Sequence, residues 1–126
     1  MIRTDAPEAQ LYLYEGGVAI ASRIWHAHRT LSDTIHEQIF SLLKQADKTL
    51  QDIEGIIVYQ GPGSFTGLRI GVAVANALAL GLRVPITGVS GDAWKIDGLQ
   101  QLEGALKAQY VQPIYGADAH TTTPKK

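Results

Sequence analysis

Cysteine is absent from this 126-residue chain, and methionine, tryptophan and phenylalanine are scarce, at one, two and two residues. Without a thiol there can be no disulfide, no thiolate-bound metal and no cysteine nucleophile. Long hydrophobic runs are missing as well, because the longest apolar stretch, residues 70–82, is interrupted by Asn76 and flanked by Arg69 and Arg83. It is shorter than the about 20 residues that span a bilayer. The N-terminus also lacks the pattern of a secretory signal, so we expect a cytoplasmic protein.

An excess of one charge sign is missing too, since 11 basic residues oppose 12 acidic ones and leave a net charge of −1. A chain with this balance is not expected to bind nucleic acid through its overall field. What the chain does have is 45% hydrophobic and only 18% charged residues. That composition provides the core of one domain.

The order of hydrophobic patterns predicts a mixed α/β sheet with flanking helices. β-prone segments on either side of residues 15–17 (Glu-Gly-Gly) predict a hairpin, and residues 2–4 add a short strand before it. After this antiparallel meander, helical and buried strand patterns alternate. The later predicted elements are helices 32–46, 65–81 and 99–106 and strands 55–59, 84–89 and 111–115. The order β-β-β-α-β-α-β-α is that of a ribonuclease H-like or actin-like ATPase domain.

Loop 61–67, Gly-Pro-Gly-Ser-Phe-Thr-Gly, joins a buried strand to the start of a helix. Free backbone N–H groups and the helix dipole favour an anion at such a place. The P-loop and dinucleotide patterns do not match, however, and Pro62 removes one N–H. A tight strand-to-helix turn capped by Ser64 explains the loop without a ligand, and the residues alone favour that interpretation. The candidate phosphate-loop residues are Asp5, which follows the first strand, and Gly61, Gly63, Ser64, Thr66 and Gly67.

The helix predicted over residues 65–81 has almost no polar face. One row at spacing four contains only small residues, namely Gly67, Gly71, Ala75 and Ala79, and the neighbouring rows are apolar. Such a helix must be covered nearly all round, and a sheet covers only one side. The remaining cover is either the first helix of the same chain or another subunit.

Other candidate sites are weaker. Asp5 has no acidic companion in a matching place, and Asp92 is the nearest candidate. The histidines at 26, 28 and 36 lack the spacing of a metal site. Ser64 lacks the sequence context of a hydrolase nucleophile. We therefore expect no metal site and no serine hydrolase.

The segment "GPGSFTGLRIG", residues 61–71, and its continuation "VAVANALALGL" resemble the TsaB (YeaZ) family, subunits of the bacterial machinery that makes threonylcarbamoyladenosine in tRNA. The segments "DIEGIIVYQ" at 52–60 and "VPITGVSGDAW" at 84–94 are similar to the corresponding parts of that family. Residues 2–14 and 31–43 are similar to its opening strand and first helix, and residues 112–119 faintly resemble its closing segment.

The resemblance implies an actin-like ATPase fold and an accessory subunit with no catalytic activity of its own. It implies a heterodimer with TsaD, the catalytic paralogue, recruitment of the small ATPase TsaE, and contact with tRNA only through the complex. ATP would be used by TsaD and TsaE, and no cofactor is assigned to this chain. Family contacts with TsaD lie on the helices that correspond to residues 32–46 and 65–81. The expected partner-binding residues are Ile35, Ile39, Leu43, Leu68, Arg69, Gly71, Val72, Ala75 and Leu80.

The sequence departs from the family at two places. Ala6 follows Asp5 where the family has a hydroxyl residue, and Leu31 replaces a histidine at the first helix. Family members have two such domains, whereas we expect one here, over residues 1–109, with 110–126 as a remnant of the C-terminal segment and a polar tail. Two other functions remain open: an ATPase-like enzyme that binds nucleotide at the glycine loop, and a homodimer formed through the same helices.

Overall fold

A computed structural model of the chain describes residues 1–63 and 65–103. The elements in chain order are β1 (Ile2–Arg3), β2 (Glu8–Glu15), β3 (Val18–His26), α1 (Leu31–Gln45), β4 (Ile56–Tyr59), α2 (Phe65–Leu82), β5 (Ile86–Val89) and α3 (Trp94–Glu103). The strands form one five-stranded sheet in the order β3-β2-β1-β4-β5. Among the described residues, none of the helices qualifies as a membrane-spanning segment.

The first half of the sheet is the predicted antiparallel meander. Strand β2 pairs with β3 through a turn in which Gly16 and Gly17 both have positive φ, 60° and 80°. Two successive positive φ values give a turn whose twist matches that of the strands it joins, and glycine adopts them without steric cost. The ladder shifts register between Leu13 and Tyr14, which places a bulge near the turn.

The second half of the sheet is parallel. β1 pairs with β4, and β4 pairs with β5 from Ile56↔Ile86 to Tyr59↔Val89. Every residue of β4 is buried, as expected for a central strand with helices on both faces. The side chains of β4 alternate, so Ile56 and Val58 join the core under α1 and α2 while Ile57 and Tyr59 join the core under α3.

Several predicted boundaries need correction. Helix α1 begins at Leu31, directly after a 3₁₀ turn, so Ser32 lies inside the helix instead of capping it. Helix α3 begins at Trp94, earlier than the predicted residue 99. β4 and β5 begin at Ile56 and Ile86, slightly later than predicted. The predicted strand 111–115 and the remnant 110–126 lie outside the described residues.

Candidate partner-binding surface and glycine loop

Helices α1 and α2 pack side by side on one face of the sheet and bury most of the residues predicted to bind a partner. The exposed fractions of Ile35, Leu68 and Ala75 are zero. The other buried members of that set are Ile39, Leu43, Gly71 and Val72. These residues offer a partner no accessible surface in this structure, because they are buried within the chain itself. Only Arg69 and Leu80 of the predicted set are exposed.

Within the row of small residues on α2, Gly67 and Gly71 contact Thr4, which directly follows strand β1 of the same chain. The Thr4 hydroxyl donates a hydrogen bond of 2.7 Å to the Gly67 carbonyl oxygen, which draws the strand close to the helix. A Cβ added at Gly71 would overlap the Thr4 side chain. The group that approaches this row at Gly71 is therefore a side chain of the same chain, and Ala75 and Ala79 are buried in the chain's own core, so the row offers another subunit no exposed surface in this structure.

The outward side of the two helices is a separate apolar surface, which we call the helix surface. On α2 it consists of Arg69, Ala73, Ala77 and Leu80, where Leu80 is 54% exposed. On α1 it includes Phe40, which is 58% exposed. The half-buried Ile70 and Val74 lie on α2 as well and pack against the core that α1 shares. Contiguous exposed apolar patches mark protein interaction sites, so these exposed side chains on two adjoining helices make the helix surface a candidate for one.

The charge on this surface is sparse. Arg69 is the only charged residue within α2, and the exposed charges of α1, Asp33, Glu37 and Lys44, are of both signs. A partner helix would therefore remove little charge from water on packing against α2. Low desolvation cost and small side chains at Ala73 and Ala77 suit close helix packing.

The glycine loop meets Asp5 at the carboxyl end of β1. Arg3 donates to both oxygens of the Asp5 carboxylate, at 2.8 Å from Nε and 3.1 Å from Nη2. The guanidinium carbon lies 3.9 Å from the centre of the Tyr59 ring. Hydrogen bonding to Asp5 raises the pKa of Arg3 above its usual range. The charge of Asp5, the predicted acidic residue, is thus neutralised by Arg3, which was not among the predicted site residues.

Other loop groups are also engaged within the chain. The Ser90 hydroxyl donates to the Gly61 carbonyl oxygen, and the Gly61–Pro62 peptide bond is cis. Asp5 packs so closely against Gly63 that a Cβ there would overlap it. Thr66 is exposed and Gly67 is half-buried, whereas Ser64 lies outside the described residues. Asp5 and Gly63 lie in contact, and each oxygen of the Asp5 carboxylate accepts a hydrogen bond from Arg3. A metal ion at Asp5 would have to share that carboxylate with a positive guanidinium, which disfavours a metal-bound nucleotide there.

The described residues contain no group of three or more His, Asp or Glu side chains placed to hold a metal ion. A cavity of about 500 Å³ lies beside the β2–β3 turn, lined by Tyr12, Tyr14, Ile57 and Leu102 among others. None of the candidate phosphate-loop residues lines it.

The family model of the tRNA N6-adenosine threonylcarbamoyltransferase TsaD matches residues 12–97, which include most of the sheet and both helices of the helix surface. The chain belongs to the family that this model describes. It is 35% identical to the tRNA threonylcarbamoyladenosine biosynthesis protein TsaB of Escherichia coli (strain K12) over 74% of this chain and 45% of that protein. It is 42% identical to TsaB of Bacillus subtilis (strain 168) over 56% of this chain and 31% of that protein.

YeaZ from Pseudomonas aeruginosa has the same fold, with a TM-score of 0.66 and 29% identity over 71% of this chain and 41% of that chain. These relatives confirm the resemblance to the TsaB family and the predicted actin-like, ribonuclease H-like fold. The chain spans less than half of the length of each of these relatives.

Proposed function

We propose that this TsaB family member takes part in tRNA threonylcarbamoyladenosine (t6A) synthesis by binding and stabilising a TsaD-like catalytic subunit. The helix surface is the binding site, and the pair in turn recruits a TsaE-like ATPase. The chain meets tRNA only within that complex, and ATP is used by the other subunits. The observation that carries the proposal is the exposed apolar side of α1 and α2, with Leu80 54% and Phe40 58% exposed.

Burial of the apolar side chains exposed on the helix surface would stabilise an interface there. Full burial of a Leu or Phe side chain contributes about 1.5–3 kcal/mol, so covering the exposed halves of Leu80 and Phe40 contributes about 1 kcal/mol each. On α2 the exposed Ala73 and Ala77 present no bulk, so a partner helix can approach α2 closely. The E. coli and B. subtilis relatives are tRNA threonylcarbamoyladenosine biosynthesis proteins, so we expect the partner to belong to the same pathway.

The test compares two substitutions of the same kind at opposite faces of the molecule. Leu80→Glu places a carboxylate in the helix surface, whereas Ile96→Glu does so on α3, where Ile96 is 63% exposed. Burying an unpaired carboxylate at an interface is strongly unfavourable. We expect Leu80→Glu to weaken binding to the TsaD homologue by about a hundredfold in calorimetric titration, roughly the effect of 3 kcal/mol. Ile96→Glu should bind like the wild type.

The outcome also separates partner binding from homodimer formation. If light scattering shows that the wild type dimerises alone, and Leu80→Glu abolishes that dimer without affecting TsaD binding, the helix surface is a homodimer interface. Equal loss of TsaD binding in Leu80→Glu and Ile96→Glu would mean that neither face is specific, and the proposed surface would be wrong.

A further inference from the structure

The Asp5 carboxylate stands where an acidic group in a strand-and-glycine-loop site would face a metal ion or its water. It lies beyond the carboxyl end of β1, against Gly63 of the loop that follows β4. Parallel strands β1 and β4 bring these two ends together. The position is therefore suited to a cation.

Arg3 fills that position from within the chain. Residues 3 and 5 are two apart along an extended segment, so their side chains can meet on one side of the backbone. The bidentate contact of 2.8 and 3.1 Å uses both carboxylate oxygens. Such fork-like pairing is the strongest geometry between these two groups.

Aromatic residues hold the guanidinium in place. Tyr59 lies under it at 3.9 Å, and the Trp94 ring centre is 5.6 Å away. Tyr59 and Trp94 are 6% and 4% exposed and pack edge to face with their centres 6.0 Å apart. The side chains of Arg3 and Asp5 are only 24% and 14% exposed, so water screens the pair weakly.

We propose that Arg3 is a resident counter-ion that takes the place of a divalent cation at Asp5, so that the glycine loop of this chain does not bind a metal-bound nucleotide. A cation entering beside Asp5 would meet a positive guanidinium at contact distance. It would also compete with two charge-assisted hydrogen bonds for the same carboxylate. This inference goes beyond the proposed function, since Arg3 and Asp5 lie outside the helix surface.

Manganese ions provide the test, because Mn²⁺ broadens the NMR signals of nearby backbone amides even when it binds weakly. The variants are Arg3→Met, which keeps an apolar stem over Tyr59 but removes the charge, and Arg3→Lys, which keeps the charge. The double variant Arg3→Met with Asp5→Asn removes the carboxylate as well. Arg3→Gln replaces Arg3→Met if the latter does not fold.

We expect no localised broadening at Asp5 and Gly63 in the wild type or in Arg3→Lys. Arg3→Met should gain it, with at least about tenfold tighter Mn²⁺ binding, because an opposing charge has been removed at contact distance. The double variant should lose that gain. Broadening at Asp5 in the wild type comparable to that in Arg3→Met would overturn the inference. A charge-free variant that folds and gains nothing would also overturn it, since Arg3 would then not be what excludes the cation.

Discussion

The contact between Gly71 and Thr4 gives a stability prediction that can be worked out from the structure. In Gly71→Ala the new methyl group would overlap the Thr4 hydroxyl and come within 3.1 Å of its Cβ and Cγ2 atoms. Thr4 is 1% exposed and cannot swing out into water. Whether the helix moves away from Thr4 or the Thr4 side chain rotates, the hydrogen bond from Thr4 to the Gly67 carbonyl oxygen is also lost.

The magnitude follows from three effects. Overpacking a close contact costs about 1–3 kcal/mol, and loss of a buried hydrogen bond costs a similar amount. Alanine regains about 1 kcal/mol over glycine in a helix interior. We therefore expect Gly71→Ala to lower the free energy of unfolding by about 3 kcal/mol. Any larger residue, such as glutamate, should disrupt the fold, so its effect on partner binding would not report on an interface.

Urea unfolding followed by circular dichroism measures the change. Gly81→Ala is the matched control, because Gly81 lies in the same helix and a Cβ there meets nothing within 4 Å. It should stabilise the protein by about 0.5–1 kcal/mol. In a Thr4→Ala background, Gly71→Ala should cost less than about 1 kcal/mol, which gives a strong coupling between the two sites. Equal effects of Gly71→Ala and Gly81→Ala in the wild-type background would refute the packing argument.

Two further stability predictions concern α3 and the first helix. Gly98→Ala should lower the free energy of unfolding by about 1–3 kcal/mol in the same urea assay, because its Cβ would lie 2.5 Å from Cγ2 of the buried Ile57; a wild-type value would show that α3 can shift freely on the sheet. Trp25→Phe should cost about 0.5–1.5 kcal/mol, because the indole N–H donates to the Thr34 hydroxyl at 3.0 Å. Thr34→Ala should then cost less in the Trp25→Phe background than in the wild type, and equal losses in the two backgrounds would argue against that bond.

The sheet could be predicted from the sequence because its signals are local. Residues 15–17 mark the hairpin, and the continuous apolar run of β4 has the pattern of a strand buried on both faces. The start of α3 was missed because Gly98 lowers helix propensity and the helix buries only part of one side. Its position depends on packing of Trp94 against Tyr59, which is a tertiary contact.

The site was only partly predictable, for a related reason. Helix α2 is apolar on nearly all sides, so its sequence pattern does not show which side faces the core. Buried residues such as Leu68 and Ala75 could therefore not be distinguished from the exposed Leu80. The sequence contained one sign that Arg3 pairs with Asp5, namely that the two residues are two apart in an extended segment. What fixes the pair is Tyr59, which is distant in sequence and reaches Arg3 only when β4 pairs with β1.

The central claim is that this chain binds a TsaD-like subunit, and co-expression with the TsaD homologue of the same source tests it most directly. Size-exclusion chromatography with light scattering should show a stable one-to-one complex. A chain that elutes alone, or as its own dimer beside unbound TsaD homologue, would contradict the claim.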